Sequence, residues 1–124
     1  MKIIVVEPQK KPVVRDIDPG LASMQKLVGG FIEAVYPFDD PVAMICNDEG
    51  KLLGLPLNRA LYDSTGQIYD IIAGTFFLCG APGDSEDFTS LTEEQLQRYR
   101  ERFADPERFL RINGQLLVIR NGKG

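Results

Sequence analysis

Asn58-Arg59 is the pair of neighbouring side chains with the most chemistry to offer. A guanidinium presents five donors in a rigid fork, and the adjacent amide adds both a donor and an acceptor. Together they could grip a carboxylate, a phosphate or the edge of a planar base. Their setting sharpens the question. Residues 29 to 91 hold ten acidic side chains and only two cations, Lys51 and Arg59. A cation this isolated needs a defined electrostatic partner. Two readings stand: Arg59 is kept open for a ligand, or it pairs with an internal acid such as Asp63 or Asp70 while Asn58 bonds its own turn.

Other residues offer less. The chain contains no histidine, which removes the usual general base near neutral pH and the commonest metal ligand. Cys46 and Cys79 lie in apolar runs without metal or redox spacing, so inert buried thiols are expected. Asp39-Asp40 and Asp48-Glu49 are adjacent acid pairs, but neighbours on a turn or strand usually point apart, and no EF-hand spacing accompanies them. Asp84-Ser85-Glu86-Asp87 is equally weak as a cation site. The glycines compose neither GxGxxG nor a P-loop. Arg98, Arg100 and Arg102 read as a solvated helix face, with Glu94 and Arg98 spaced i, i+4. Phe38, set between Pro37 and Asp39-Asp40, is a candidate exposed anchor for a protein partner. No catalytic residue, metal site or cofactor is expected.

These side chains must be positioned by an ordinary alternation of strands and two helices. Lys2 to Glu7 is a short β-branched run, and Val13 to Ile17 is suited to pair with it. Asp18-Pro19 resembles an N-cap followed by proline at the first helical position. Leu21, Met24, Leu27 and Val28 give that helix one apolar face, ending at Gly29-Gly30. Phe31 to Tyr36 and Val42 to Asn47 read as strands across a proline-bounded loop. Asn47-Asp48-Glu49-Gly50 signals a hairpin with Lys51 to Leu55 as its return strand. Leu57 to Tyr62 is ambiguous between a helical turn and an extended connector. Ile68 to Cys79 is apolar on nearly both faces, predicting a central strand with a bulge or close approach at Gly74. Thr92 and Gln95 form a capping box, with Leu91 and Leu96 as hydrophobic staple. Asn113-Gly114 predicts a type I′ hairpin joining Leu110 to Ile112 with Gln115 to Ile119; Asn121 to Gly124 reads as a frayed tail.

The length of 124 residues fits one domain. With 44% hydrophobic and 26% charged residues, the composition is that of a globular protein. The fold class expected is α+β: a mostly antiparallel or mixed sheet, two helices and a C-terminal hairpin over 110–120. A net charge of −4 argues against non-specific nucleic-acid binding, which needs clustered cations, and against anionic membrane surfaces. The apolar run at the N-terminus is too short for a secretory signal and no stretch is long enough to span a bilayer, so a cytoplasmic protein is expected. The charge is blocky: the first 28 residues carry five cations against three anions, and residues 92 to 124 carry seven against five. The basic ends are suited to pack around the acidic middle.

Three segments, VGGFIEAVYPFDDPVAMICNDEGKLLGLPLNRAL, DIIAGTFFLCG and SLTEEQLQRYRERF, resemble a small bacterial family known as domain of unknown function 3846. The likeness spans about residues 1–105, with Gly50, Gly54, Asn58, Arg59 and Gly74 its clearest positions. It implies a small protein of bacteria, phages or conjugative elements, sometimes encoded near antirestriction genes, with no assigned activity. Two functions are therefore expected as alternatives. One is a non-enzymatic accessory protein in a mobile-element or phage context, binding a partner protein through the acidic middle and Phe38, Asp39 and Asp40. The other is a small-ligand module gripping an anionic or nucleotide-like group through Asn58 and Arg59.

Overall fold

A computed structural model describes residues 1–120; the tail expected over 121–124 lies outside them. Five strands form one antiparallel sheet in the order β2-β1-β7-β4-β3. They are β1 (Lys2–Val6), β2 (Val13–Asp16), β3 (Ile32–Val35), β4 (Val42–Asn47) and β7 (Phe76–Gly80). The fold is α+β, as the sequence implies. Helix α1 (Leu21–Val28) covers one face, where Met24 and Val28 pack with Ile3, Val5, Ile45 and Phe77. The opposite face is covered by helix α2 (Glu93–Arg102) and by a separate two-stranded ribbon, β5 (Leu57–Tyr62) with β6 (Ile68–Ala73). Leu61, Ile72, Leu96, Tyr99 and Phe103 there meet Ile4, Met44, Phe76 and Leu78. A third pair, β8 (Glu107–Ile112) and β9 (Gln115–Arg120), makes the C-terminal hairpin.

The central position of β7 follows from its composition: all five of its residues are buried, as a strand covered on both faces requires. The long apolar run is nevertheless two strands, not one. Gly74, at φ 85°, turns the chain between β6 and β7, so one half serves the ribbon and the other the sheet. A Cβ at Gly74 would sit 2.7 Å from Leu55 Cδ1, so close approach reinforces the backbone demand.

Two further expectations are corrected, and the ambiguity at Leu57–Tyr62 is resolved. Gly20, not Asp18, caps α1; the Asp18 carboxylate instead accepts from the Gly20 N–H at 3.3 Å. Pro19 therefore precedes the helix. Lys51–Leu55 is no return strand: residues 48–54 form successive turns, with the Leu53 N–H donating to the Glu49 carbonyl and the Leu55 N–H to the Gly50 carbonyl. The chain leaves β4 there to reach the second layer. Leu57–Tyr62 resolves as a strand, largely buried because the ribbon lies against the sheet. Thr92 and Gln95 do form the capping box of α2. Asn113 and Gly114, at φ 52° and 80°, make the type I′ turn of the hairpin.

Candidate functional site

The site the sequence favours is a polar knot inside the protein. Asn58 and Arg59 on β5 are both 0% exposed. The Asn58 amide donates to the Val6 carbonyl at 2.8 Å and to the Gly74 carbonyl at 2.9 Å. Its oxygen accepts from Arg59 Nη1 at 2.9 Å. Arg59 Nη2 donates to the Lys10 carbonyl at 2.8 Å and the Phe103 carbonyl at 2.9 Å. Only Nε lacks a partner. Burial pushes the guanidinium pKa down, while the carboxylates of Glu107 and Asp105 pull it back up.

This geometry removes the open fork that a ligand grip requires. It also replaces the internal partner expected from the sequence. Neither Asp63 nor Asp70 pairs with Arg59: Asp63 accepts from residues of its own turn, and Asp70 binds Lys51 at 2.6 Å. The physical reason is direction. Residues 58–61 of β5 are buried on both faces, and the donors of Asn58 and Arg59 meet main-chain carbonyls of β1, the loop after it, Gly74 and the end of α2. Glu107 completes the knot. It is 5% exposed and accepts the Ala60 N–H at 2.9 Å. Its own carbonyl accepts from the Gln9 side chain, and Arg120 Nε stands 3.6 Å from its second oxygen.

The proline-bounded loop is also consumed by the scaffold. Phe38 is half-buried against the core, 4.6 Å from the Tyr99 ring centroid and 6.2 Å from that of Phe103, with the Arg102 guanidinium 4.9 Å from its ring. It is therefore not an exposed anchor. Asp40 binds Arg98 and accepts from the Tyr99 hydroxyl at 2.9 Å. Asp39 remains exposed. The loop is thus fastened to α2 by an aromatic cluster and an ion pair. Phe38→Ala is expected to lower stability by about 2 kcal/mol, less than full core truncation because the ring is half-exposed. Urea unfolding midpoints measure it, and an unchanged midpoint would contradict the packing assigned here.

The remaining polar groups lie apart from this knot. A recess of about 150 Å³ between the 48–54 turns and β6 is lined by Glu33, Asp48, Glu49 and Asp70, with Cys46 at its base. Burial, with Glu33 adding to it, raises the Cys46 thiol to about 11; burial alone raises Cys79 to about 12. Such thiols are poor nucleophiles. Among the described residues no group of three or more His, Cys, Asp or Glu side chains is gathered to hold a metal ion. No helix among them is long and apolar enough to cross a membrane.

The surface that sequence reading passes over is the outer face of the C-terminal hairpin. The β8–β9 register places Leu110 opposite Leu117 and Arg108 opposite Ile119, with Ile112 two residues along the same face. Leu110, Ile112, Leu117 and Ile119 are 38%, 51%, 44% and 41% exposed. The opposite face carries Phe109, Leu116 and Val118, each half-buried. The signal was present in Leu116-Leu117-Val118-Ile119: an apolar run loads both faces of a ribbon, and this hairpin stands beside β5 where only one face can be covered. Glu107 at its base, together with Arg120 lying 5.1 Å from the Tyr62 ring, holds the hairpin to the body.

Comparison with known proteins returns one family. The family model described as "Domain of unknown function (DUF3846)" matches residues 1–104. No curated protein and no solved structure matches the chain. The matched region ends before β8, so it includes Asn58, Arg59 and the Phe38 loop but not Glu107 or the hairpin.

Proposed function

This chain belongs to the family described as domain of unknown function DUF3846, and from that premise we propose that it is a non-enzymatic accessory protein that acts by binding a partner protein. One observation carries the reading. Four aliphatic side chains lie together, exposed, on the outer face of a hairpin fastened to the domain. Contiguous apolar surface of this kind on a folded domain is characteristic of interaction sites. Arg108 sits on the same face at one end, so the complementary surface is apolar with an acidic margin.

The contact surface thereby moves from Phe38 and Asp40, which the core and α2 occupy, to the hairpin. The setting we propose is the cytoplasm of a bacterial host carrying a phage or mobile element, following the family resemblance. The ligand-grip alternative is not carried forward, because Arg59 has no solvent-facing donor to offer.

The test compares the chain with the double variant Leu110→Glu, Leu117→Glu as bait in extract of a native host, the captured protein then being titrated in purified form. Affinity is expected to fall at least tenfold, the equivalent of about 1.4 kcal/mol. The thermal midpoint should change little, since both positions are partly exposed. Equal capture by both baits, or no captured protein with the unaltered chain, would overturn the assignment.

A further inference from the structure

The five-stranded sheet ends in two unpaired edges, β2 on one side and β3 on the other. Each is four residues long. Neither strand makes a main-chain hydrogen bond outside its own ladder among the described residues. The edges differ in charge. Arg15 lies on β2 and Glu33 on β3; both are exposed, the Glu33 carboxylate accepts weakly from Cys46 Sγ at 3.9 Å, and neither belongs to an ion pair among the described residues.

From strand order, register and charge we propose that the β3 edge of one copy of this chain pairs with the β2 edge of a second copy. The pairing is antiparallel, with Glu33 opposite Arg15 of the second copy. These surfaces are separate from the hairpin patch, and the inference does not depend on it.

The register is dictated by which face each side chain occupies. Arg15 and Val13 are paired with Ile3 and Val5, which pack against α1, so they lie on the α1 face. Glu33 and Val35 are paired with Cys46 and Met44, which pack on the α2 face. Keeping the helices of both copies on the same sides would place Arg15 and Glu33 on opposite faces of the joined sheet. Turning the second copy over brings them to one face and makes the new pairing antiparallel. With Glu33 opposite Arg15, Val35 meets Val13, Ala34 meets Val14 and Ile32 meets Asp16, so both four-residue strands are matched end to end. Exposed Phe31 then stands opposite Ile17 and exposed Tyr36 opposite Pro12.

A two-fold pairing of like edges centred on Arg15 or Glu33 would oppose like charges across the seam; centred on Val14 or Ala34 it would set Arg15 opposite Val13 and Glu33 opposite Val35 and gain no ion pair. The favoured contact joins unlike patches. It leaves a free edge at each end, so association is open-ended and not confined to a dimer. A four-residue seam predicts weak, reversible assembly that responds to salt.

Sedimentation equilibrium on the full chain tests this. At low ionic strength the weight-average mass should climb with concentration past that of two 13.8 kDa chains, and added salt should reverse it. Arg15→Glu and Glu33→Lys should each hold the chain monomeric. Mixing the two variants should restore association. The carboxylate introduced on β2 of one variant then faces the ammonium introduced on β3 of the other, while each variant also supplies one unaltered edge. Restoration also shows that both variants remain folded. An unaltered chain that stays monomeric at every concentration overturns the proposal, and the two charges are then guards against edge pairing. Self-association that neither substitution reduces, or that mixing fails to restore, overturns it equally.

Discussion

Arg59→Ala is expected to destabilise the domain by about 4 kcal/mol, the range found when one member of a buried charged network is removed. For a domain whose whole stability is typically about 5 to 15 kcal/mol, that is a large share. The losses are identifiable. The carbonyls of Lys10 and Phe103 and the oxygen of Asn58 each lose a donor in a site closed to water. Glu107 loses its buried counter-charge. A cavity the size of an arginine side chain remains. Arg59→Lys should recover little, because one ammonium on a flexible stem cannot span acceptors placed for a planar fork. Urea unfolding with unchanged slope measures both variants. A loss below about 1 kcal/mol for Arg59→Ala would place the guanidinium outside the fold's internal network.

Glu107→Ala is expected to cost about 3 kcal/mol, since it orphans the Ala60 N–H and removes the carboxylate whose charge most favours the Arg59 guanidinium. Glu107→Gln separates the two contributions. It retains an acceptor for Ala60 but not the charge, and should fall between the parent and the alanine variant. Chemical unfolding reads all three proteins. If glutamine and alanine behave alike, charge is the main contribution; if glutamine matches the parent, the hydrogen bond is. A near-neutral alanine variant would contradict the assignment of Glu107 to the knot. The result bears on the family as well. Glu107 lies beyond the matched residues, yet it closes a network built on Asn58 and Arg59 within them.

The local code of the chain was readable where one side chain satisfies a nearby backbone group. Thr92 with Gln95, Gly29 at the end of α1 and Asn113-Gly114 act within a few residues of themselves, and all three appear as read. The fold class and the central place of β7 also follow from pattern. What failed depends on long-range placement. Lys51–Leu55 has strand-like composition, but the chain must climb from the sheet to a second layer there, and turns accomplish that. The largely apolar stretch from Ile68 carries no mark of its division except Gly74. At Arg59 the sequence raised the right question and left both answers open. The deciding carbonyls belong to residues 44 and 49 positions away, and a main-chain oxygen has no signature in a sequence.

Those separations also have a consequence in time. On a ribosome, β5 emerges with its guanidinium long before Phe103 and Glu107 exist to receive it. Val6 and Lys10 are already available to Asn58 and Arg59, so half the knot can form while the other half waits. A nascent chain stalled anywhere between Arg59 and α2 therefore holds a desolvation-averse cation against an unfinished interior, and completion waits for Phe103 and Glu107.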